Sequence, residues 1–228
     1  MASSKKRAYR EEAQGVELID LVIERVRADP QCISGFCGDR PLAESRPLPA
    51  EVLELLTFPS GKPLPPSLKR WLAFDASWLQ ELGWFSSLEQ GIFTPRRIDQ
   101  IVADEFDGLW GEMYEPLGAK LDECFLLPGG SDSRRIYAVT EPDGLGEYPV
   151  LVIDTDDLPY AAVMYPGFDV FMADEAGMGI SAWGTYEALS RDSRYKSRIQ
   201  QHAQHLFGGK AGIEIMDTEW AMGQSELD

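Results

Sequence analysis

The stretch that decides the fold runs from Cys124 to Tyr165 and reads CFLLPGGSDSRRIYAVTEPDGLGEYPVLVIDTDDLPYAAVMY. It contains four short apolar runs, at Cys124–Leu127, Ile136–Val139, Tyr148–Ile153 and Ala161–Tyr165. Between them lie turn residues: Pro128-Gly129-Gly130, Pro142-Asp143-Gly144 and the segment from Asp154 to Pro159. Runs of this length rich in Val, Ile and Tyr, bounded by Gly, Pro and Asp, are strand signals. The gaps are too short to hold crossover helices, so successive strands must return as hairpins, giving a mainly antiparallel sheet of about four to six strands.

Working outward, both flanks read as helical. Val16 to Ala28 places Leu18, Leu21, Val22 and Val26 on one face and Glu17, Asp20, Glu24 and Arg27 on the other, and Asp29-Pro30 stops the pattern. Pro65-Pro66-Ser67 opens a second helix that carries Leu68, Trp71, Leu72, Trp78, Leu79 and Leu82 into the centre of a core. Trp71, Phe74, Trp78, Trp84 and Phe85 are read with it as core filling, not as an aromatic binding slot. Thr94-Pro95 has the form of an N-cap and first helical position before Ile98, Ile101, Val102 and Phe106. Phe168–Ala173 returns to helix, and Thr185–Phe207 predicts a longer polar helix closed by Gly208-Gly209. Helices, then a meander, then helices describe an α+β fold with helical extensions at both ends. The expected organisation is a mobile basic arm over 1–15, one domain over 16–215 and an acidic tail over 216–228.

The 228 residues include 21 Lys and Arg against 38 Asp and Glu, a net charge of −17. A chain of this length buries roughly 70% of its extended surface on folding, enough for a true core. Neutralising phosphates takes clustered bases, so nucleic acid is excluded as the expected partner. No apolar run approaches the ~20 residues of a bilayer span, and Lys5, Lys6, Arg7 and Arg10 are followed by acids instead of an apolar signal core. With only Cys32, Cys37 and Cys124, free thiols and a cytoplasmic location are expected.

The acids are concentrated. Glu141 to Ser190 holds ten of them (Glu141, Asp143, Glu147, Asp154, Asp156, Asp157, Asp169, Asp174, Glu175, Glu187) and no Lys or Arg. Tyr148, Tyr160, Tyr165, Phe168, Phe171 and Trp183 lie among them. Unpartnered acids repel, and docking of a basic partner relieves that repulsion. The alternative is a solvated acidic face that only aids solubility.

Catalytic signals are sparse. Asp154-Thr155-Asp156 after a buried strand can hold a divalent cation under a sugar nucleotide, or offer an aspartate nucleophile as in a phosphatase. Yet no Gly-rich phosphate cradle precedes it, and Gly208-Gly209-Lys210-Ala211 lacks the Ser or Thr that a phosphate loop places after Lys. His202 and His205, three apart on a helix, have the spacing of a zinc pair, but no Cys lies within 70 residues. No Gly-x-Ser-x-Gly turn accompanies them, and Cys32 and Cys37 lack the Cys-x-x-Cys geometry of a redox pair.

Several segments together carry a family resemblance. Leu64-Pro65-Pro66-Ser67-Leu68-Lys69-Arg70-Trp71-Leu72 resembles the helix opening of the SUKH superfamily, the Smi/Knr-like proteins. Phe125 to Asp132 is similar to that family's strand and turn, Tyr148 to Val152 to its next strand, and Pro166 to Met172 to its following helix start, covering about residues 60–178. The chain departs from the pattern at Phe74-Asp75-Ala76-Ser77-Trp78, where an Asn-Gly turn is common in the family, and in its extra terminal segments. The resemblance implies an α+β, non-enzymatic immunity protein of the kind that neutralises toxins exchanged between competing bacteria. It implies no cofactor and no metal, and a cognate protein toxin as partner. Combined with the charge, the expected mechanism is occlusion of the toxin's active site by an acidic surface. The residues expected on that surface are Asp143, Glu147, Asp154, Asp156, Asp157, Tyr160, Asp174, Glu175 and Trp183. The competing readings are a metal-dependent transferase or phosphatase using Asp154 and Asp156, and a regulatory module of the same family with no toxin partner.

Overall fold

Apolar side chains at three- and four-residue steps build the first helix, α1 (Val16–Ala28), which buries Leu18, Ile19, Val22, Ile23 and Val26 and is stopped at Asp29 before Pro30. The computed structural model describes residues 12–33, 45–108, 110–128, 133–155, 158–180 and 185–216. The basic arm up to residue 11 and the tail from 217 lie outside the described residues. In helical and strand content the chain is an α+β protein, as its sequence predicts. The backbone falls into two compact units. The first is Met1–Phe93 with Gly144–Glu147 and Gly167–Ser181; the second is Thr94–Asp143, Tyr148–Pro166 and Ala182–Asp228.

In the first unit, α1 packs on α3 (Pro66–Leu72) and on α7 (Phe168–Glu175). Two short helices complete it, α2 (Ala50–Leu55) and α4 (Ser77–Glu81), with a hairpin of β1 (Phe85–Ser87) and β2 (Ile92–Phe93). The fully buried Trp71 is the centre, edge-on to Phe74, Trp78 and Phe168 at 5.3, 6.2 and 6.4 Å. The single helix expected through Leu68–Leu82 is two, α3 and α4. Between them the Asp75 carboxylate accepts from the Arg46 amide at 2.8 Å and from the Ser77 hydroxyl at 2.8 Å, a local alternative to the helical ladder.

Two acids assigned to a binding surface by sequence order, or neighbouring it, are interior here. Glu147 is fully buried; its carboxylate accepts from the Ser67 amide at 2.9 Å and from the Ser67 hydroxyl, closing the first turn of α3. Asp169, also buried, accepts from the Gly15 amide at 2.6 Å at the start of α1.

The second unit is built on a five-stranded antiparallel sheet in the order β3 (Cys124–Leu127), β4 (Ser133–Ala138), β5 (Val150–Asp154), β6 (Tyr160–Tyr165), β7 (Gly212–Glu214). One face, with Ile136, Ala138, Leu151, Ile153, Ala161, Val163 and Ile213, forms a core with α5 (Ile98–Glu105), α6 (Glu115–Gly118) and α8 (Lys196–Phe207). Alternation sends Phe125, Leu127, Tyr137, Val150, Val152 and Ala162 to the opposite face, and these are buried as well. A strand buried on both faces reads as an unbroken apolar run, which accounts for Val150 to Ile153.

Helix α5 begins at Ile98, not after Thr94. The Arg96 backbone bridges to Cys124, donating to its carbonyl at 3.0 Å and accepting from its amide at 2.9 Å, so residue 96 is extended, and Gln100 Oε1 accepts from the Arg97 amide at 3.2 Å. The helix expected over Thr185–Phe207 is broken too. A 3₁₀ turn at Ala188–Arg191 precedes α8, and the Asp192 carboxylate receives the Arg194 amide at 2.9 Å.

Replacing Glu147 by Ala strands a buried amide and a buried hydroxyl. Glu147→Ala should lower unfolding stability by about 1–3 kcal/mol, read from urea denaturation, while Glu147→Gln should recover part of that loss, since its amide oxygen can still accept.

Candidate functional site

Strand register sets one end of the sheet as a row of four residues: Ser133 pairs with Asp154, Asp154 with Tyr160 and Tyr160 with Glu214. Their side chains share the face opposite the core helices. Asp154, Tyr160 and Tyr186 are half-buried, and Glu214 is exposed.

The segment before α8 lies on this row. The Tyr186 hydroxyl donates to the Asp154 carboxylate, and the Tyr160 hydroxyl donates to Glu187 at 2.6 Å. The exchange is reciprocal: the sheet supplies one carboxylate and one phenol, and the segment supplies the converse. The two rings stack with centroids 6.2 Å apart and planes 28° from parallel. Arg135 holds its guanidinium 5.9 Å from the Tyr186 ring and donates to Ser133 Oγ at 2.6 Å.

Burial and the bond to Glu187 push the Tyr160 phenol up, with the Glu187 and Glu214 charges acting in the same sense. Burial and the bond to Asp154 raise Tyr186 too, opposed by Ser133 and by the Arg135 charge. Both phenols are therefore neutral donors at pH 7. Beneath the row, on the core side, the Tyr114 hydroxyl lies 3.2 Å from the Asp154 carbonyl and 3.1 Å from the Tyr160 carbonyl.

Gly212 makes room for this arrangement. A Cβ there would lie 2.0 Å from the Tyr160 hydroxyl oxygen and 2.6 Å from its Cζ, a contact with a rigid ring that must move.

The structure divides the sequence-predicted binding residues. Asp154 and Tyr160 fall together in the row. Asp156, Asp157 and Trp183 lie outside the described residues. Asp174 and Glu175 are half-buried at the end of α7 in the first unit. Asp143 and Glu147 are not surface residues, a correction to the sequence expectation. Glu147 caps α3, and Asp143 is enclosed in the second unit against Arg198, whose Nε donates to its carboxylate. The bases missing from 141–190 are thus supplied in part from elsewhere in the chain, since a carboxylate enters the interior only with donors around it. Tyr186 and Glu187 were not among the expected residues; the signal in the sequence was the place of Glu187 among the ten acids of 141–190.

The histidines separate as well. His202 is buried, its Nε2 3.0 Å from the Pro166 carbonyl and 3.8 Å from Asp143, whereas His205 is exposed. The pair does not share a ligating position. Among the described residues no three His, Cys, Asp or Glu side chains are grouped to hold a metal ion. Cys124 is a buried thiol and Cys32 a half-buried one, both raised chiefly by burial, so neither is an activated nucleophile. No described helix is long and apolar enough to cross a membrane.

No protein-family model matches the chain, and no curated protein matches it. Its fold is similar to the crystal structure of an uncharacterized protein from Salmonella enterica subsp. enterica serovar typhimurium str. 14028s, with a TM-score of 0.53 and 16% identity over 90% of this chain and 98% of that one. At that identity the likeness concerns the fold alone.

Two predictions follow from these geometries. Gly212→Ala should displace the Tyr160 ring and break its bond to Glu187, so a UV-difference titration should show one more phenol ionising near the ordinary value of about 10 than in wild type; an unchanged curve would mean that Tyr160 keeps its place. Burial lowers the His202 pKa to about 4, against the weaker opposing pull of the Asp143 charge. Because the folded value lies below the unfolded one, the stabilising contribution is complete above about pH 6.5 and is lost as pH falls toward 4. Urea melts at pH 7, 5 and 4 should show wild type losing on the order of 2 kcal/mol more than His202→Gln.

Proposed function

We propose that the protein is a cytoplasmic, non-enzymatic immunity protein of the SUKH-like kind, which binds a basic protein toxin and occludes its active site. The observation that carries this reading is the end of the five-stranded sheet. There two stacked, half-buried tyrosines are held by two carboxylates, with Glu214 exposed beside them. Pre-oriented aromatic rings supply large contact area at small entropic cost, which is why Tyr is enriched at binding hot spots. Carboxylates around them complement Lys and Arg of a partner and accelerate encounter.

The surface proposed here is narrower than sequence order suggests. It keeps Asp154 and Tyr160, gains Tyr186, Glu187 and Glu214, and retains Asp156, Asp157 and Trp183 from the sequence. Asp143 and Glu147 act from inside. The family resemblance supplies the class of partner, and the excess of acids supplies the sign of its charge. The same excess of acids disfavours nucleic acid as a partner.

The test takes the product of the neighbouring gene as the candidate toxin. Co-expression of the wild-type chain should restore growth, and the two proteins should associate rapidly at low ionic strength. Glu187→Lys combined with Asp156→Lys and Asp157→Lys should slow association at least about tenfold and weaken its salt dependence, with circular dichroism showing a retained fold. Unchanged association by that triple variant would remove this face from the interface.

A further inference from the structure

Asp154 and Tyr160 close opposite ends of the β5–β6 connection, and their side chains point away from the core helices. Both side chains must be correctly placed at once for the reciprocal bonds to Tyr186 and Glu187 to form. Hydrogen bonds between flexible side chains at a half-exposed rim do not set that placement, because ordering such groups carries its own entropic cost. The ladder pairs Asp154 with Tyr160 as its last rung, and a group on the core side of the sheet can hold that rung in place.

Tyr114 is so placed. It ends the 3₁₀ turn Gly111–Tyr114, is fully buried, and belongs to the core that includes Leu151, Ile153, Ala161 and Val163. Its ring fills that core, a task phenylalanine would perform equally well. The hydroxyl is the part that packing does not require. Burying it without a partner would be costly, and its partners are the carbonyls of Asp154 and Tyr160, at 3.2 and 3.1 Å. We propose that Tyr114 is a positioning residue for the tyrosine–carboxylate rim: it bridges the main chain of its two sheet residues from behind and sets the geometry at which the rim presents itself. The binding role of the rim rests on the function proposed above; the positioning role does not.

Burial raises the Tyr114 phenol, so the hydroxyl stays a donor throughout the range in which the protein is handled. Its hydroxyl lies against the two carbonyls, and the Asp154 charge acts on it through space.

The experiment is Tyr114→Phe in the full chain, with Cζ-labelled tyrosine followed by NMR across pH and with Tyr160→Phe and Tyr186→Phe to assign the signals. The variant should keep the wild-type circular dichroism, while the Tyr160 and Tyr186 ionisations move down toward the ordinary phenol value of about 10 as their bonds to Glu187 and Asp154 loosen. A merely structural hydroxyl would lower the melting temperature and leave both ionisations in place; that result overturns the proposal. If Tyr114→Phe does not fold, the wild-type protein decides the matter. A Tyr114 hydroxyl proton exchanging slowly with water supports the bridge, and one exchanging at the solvent rate overturns it. The same variant passed through the growth-rescue assay separates the two proposals: shifted ionisations with undiminished rescue uphold the positioning role and remove the rim from the toxin interface.

Discussion

A carboxylate enters a protein interior only in the company of donors, and this rule organises the acidic half of the chain. Among its described residues three acids are buried, and each joins segments far apart in sequence: Asp143 to Arg198, Glu147 to Ser67 and Asp169 to Gly15. In the first unit, Glu147 and Asp169 fix the beginnings of α3 and α1, the two helices that pack against one another there. In the second, Arg198 turns a full side of α8 inward to meet Asp143, with Pro166 accepting from His202 one turn further along. A bond to a charged partner is worth more than one between neutral groups, but its larger consequence is the cost of an error. Any packing that separates these pairs leaves a bare charge in the core.

Removing those acids from the surface sharpens what stays outside. The strand Val150–Asp154 is buried on both faces for four residues and then emerges at Asp154, because a pleated strand that runs out of cover must end in something that tolerates water. The register carries that transition across the sheet to Ser133, Tyr160 and Glu214 at the same level. The rim is therefore a consequence of where the core stops. Its chemistry is set by four residues that share one row and by a segment 26 residues further along that brings Tyr186 and Glu187 back onto it.

Much of this was legible in one dimension. The four longer strands, the termination of α1 at Asp29-Pro30 and the burial of Trp71 and Trp78 all follow from period, turn residues and local sterics. The two-residue strand Ile92–Phe93 and the three-residue β7 were not, since neither is long enough to display an alternation. Thr94-Pro95 was misread because a good local cap signal lost to a long-range one, the pairing of Arg96 with Cys124. The site divides in the same way. Asp154 and Tyr160 stood out as an acid and an aromatic at strand ends, whereas Tyr186 and Glu187 sit in a segment whose polar texture resembled helix. Asp143 and Glu147 looked exposed because their partners, Arg198 and Ser67, lie 55 and 80 residues away.

The protonation states of the two rim phenols follow from their surroundings. A general base or acid works best with a pKa near the operating pH, and the two phenols here are driven the other way, upward, by burial and by the carboxylates that they serve. The carboxylates in turn accept from those phenols, which fixes their position. His202, buried and driven below its ordinary value, is turned to a backbone carbonyl, while His205 is exposed. The two phenols, raised above their ordinary value, keep one charge state between pH 6 and 8. They make good fixed points, and a partner that presents Lys or Arg to this rim would meet the same arrangement of donors, acceptors and rings on every encounter.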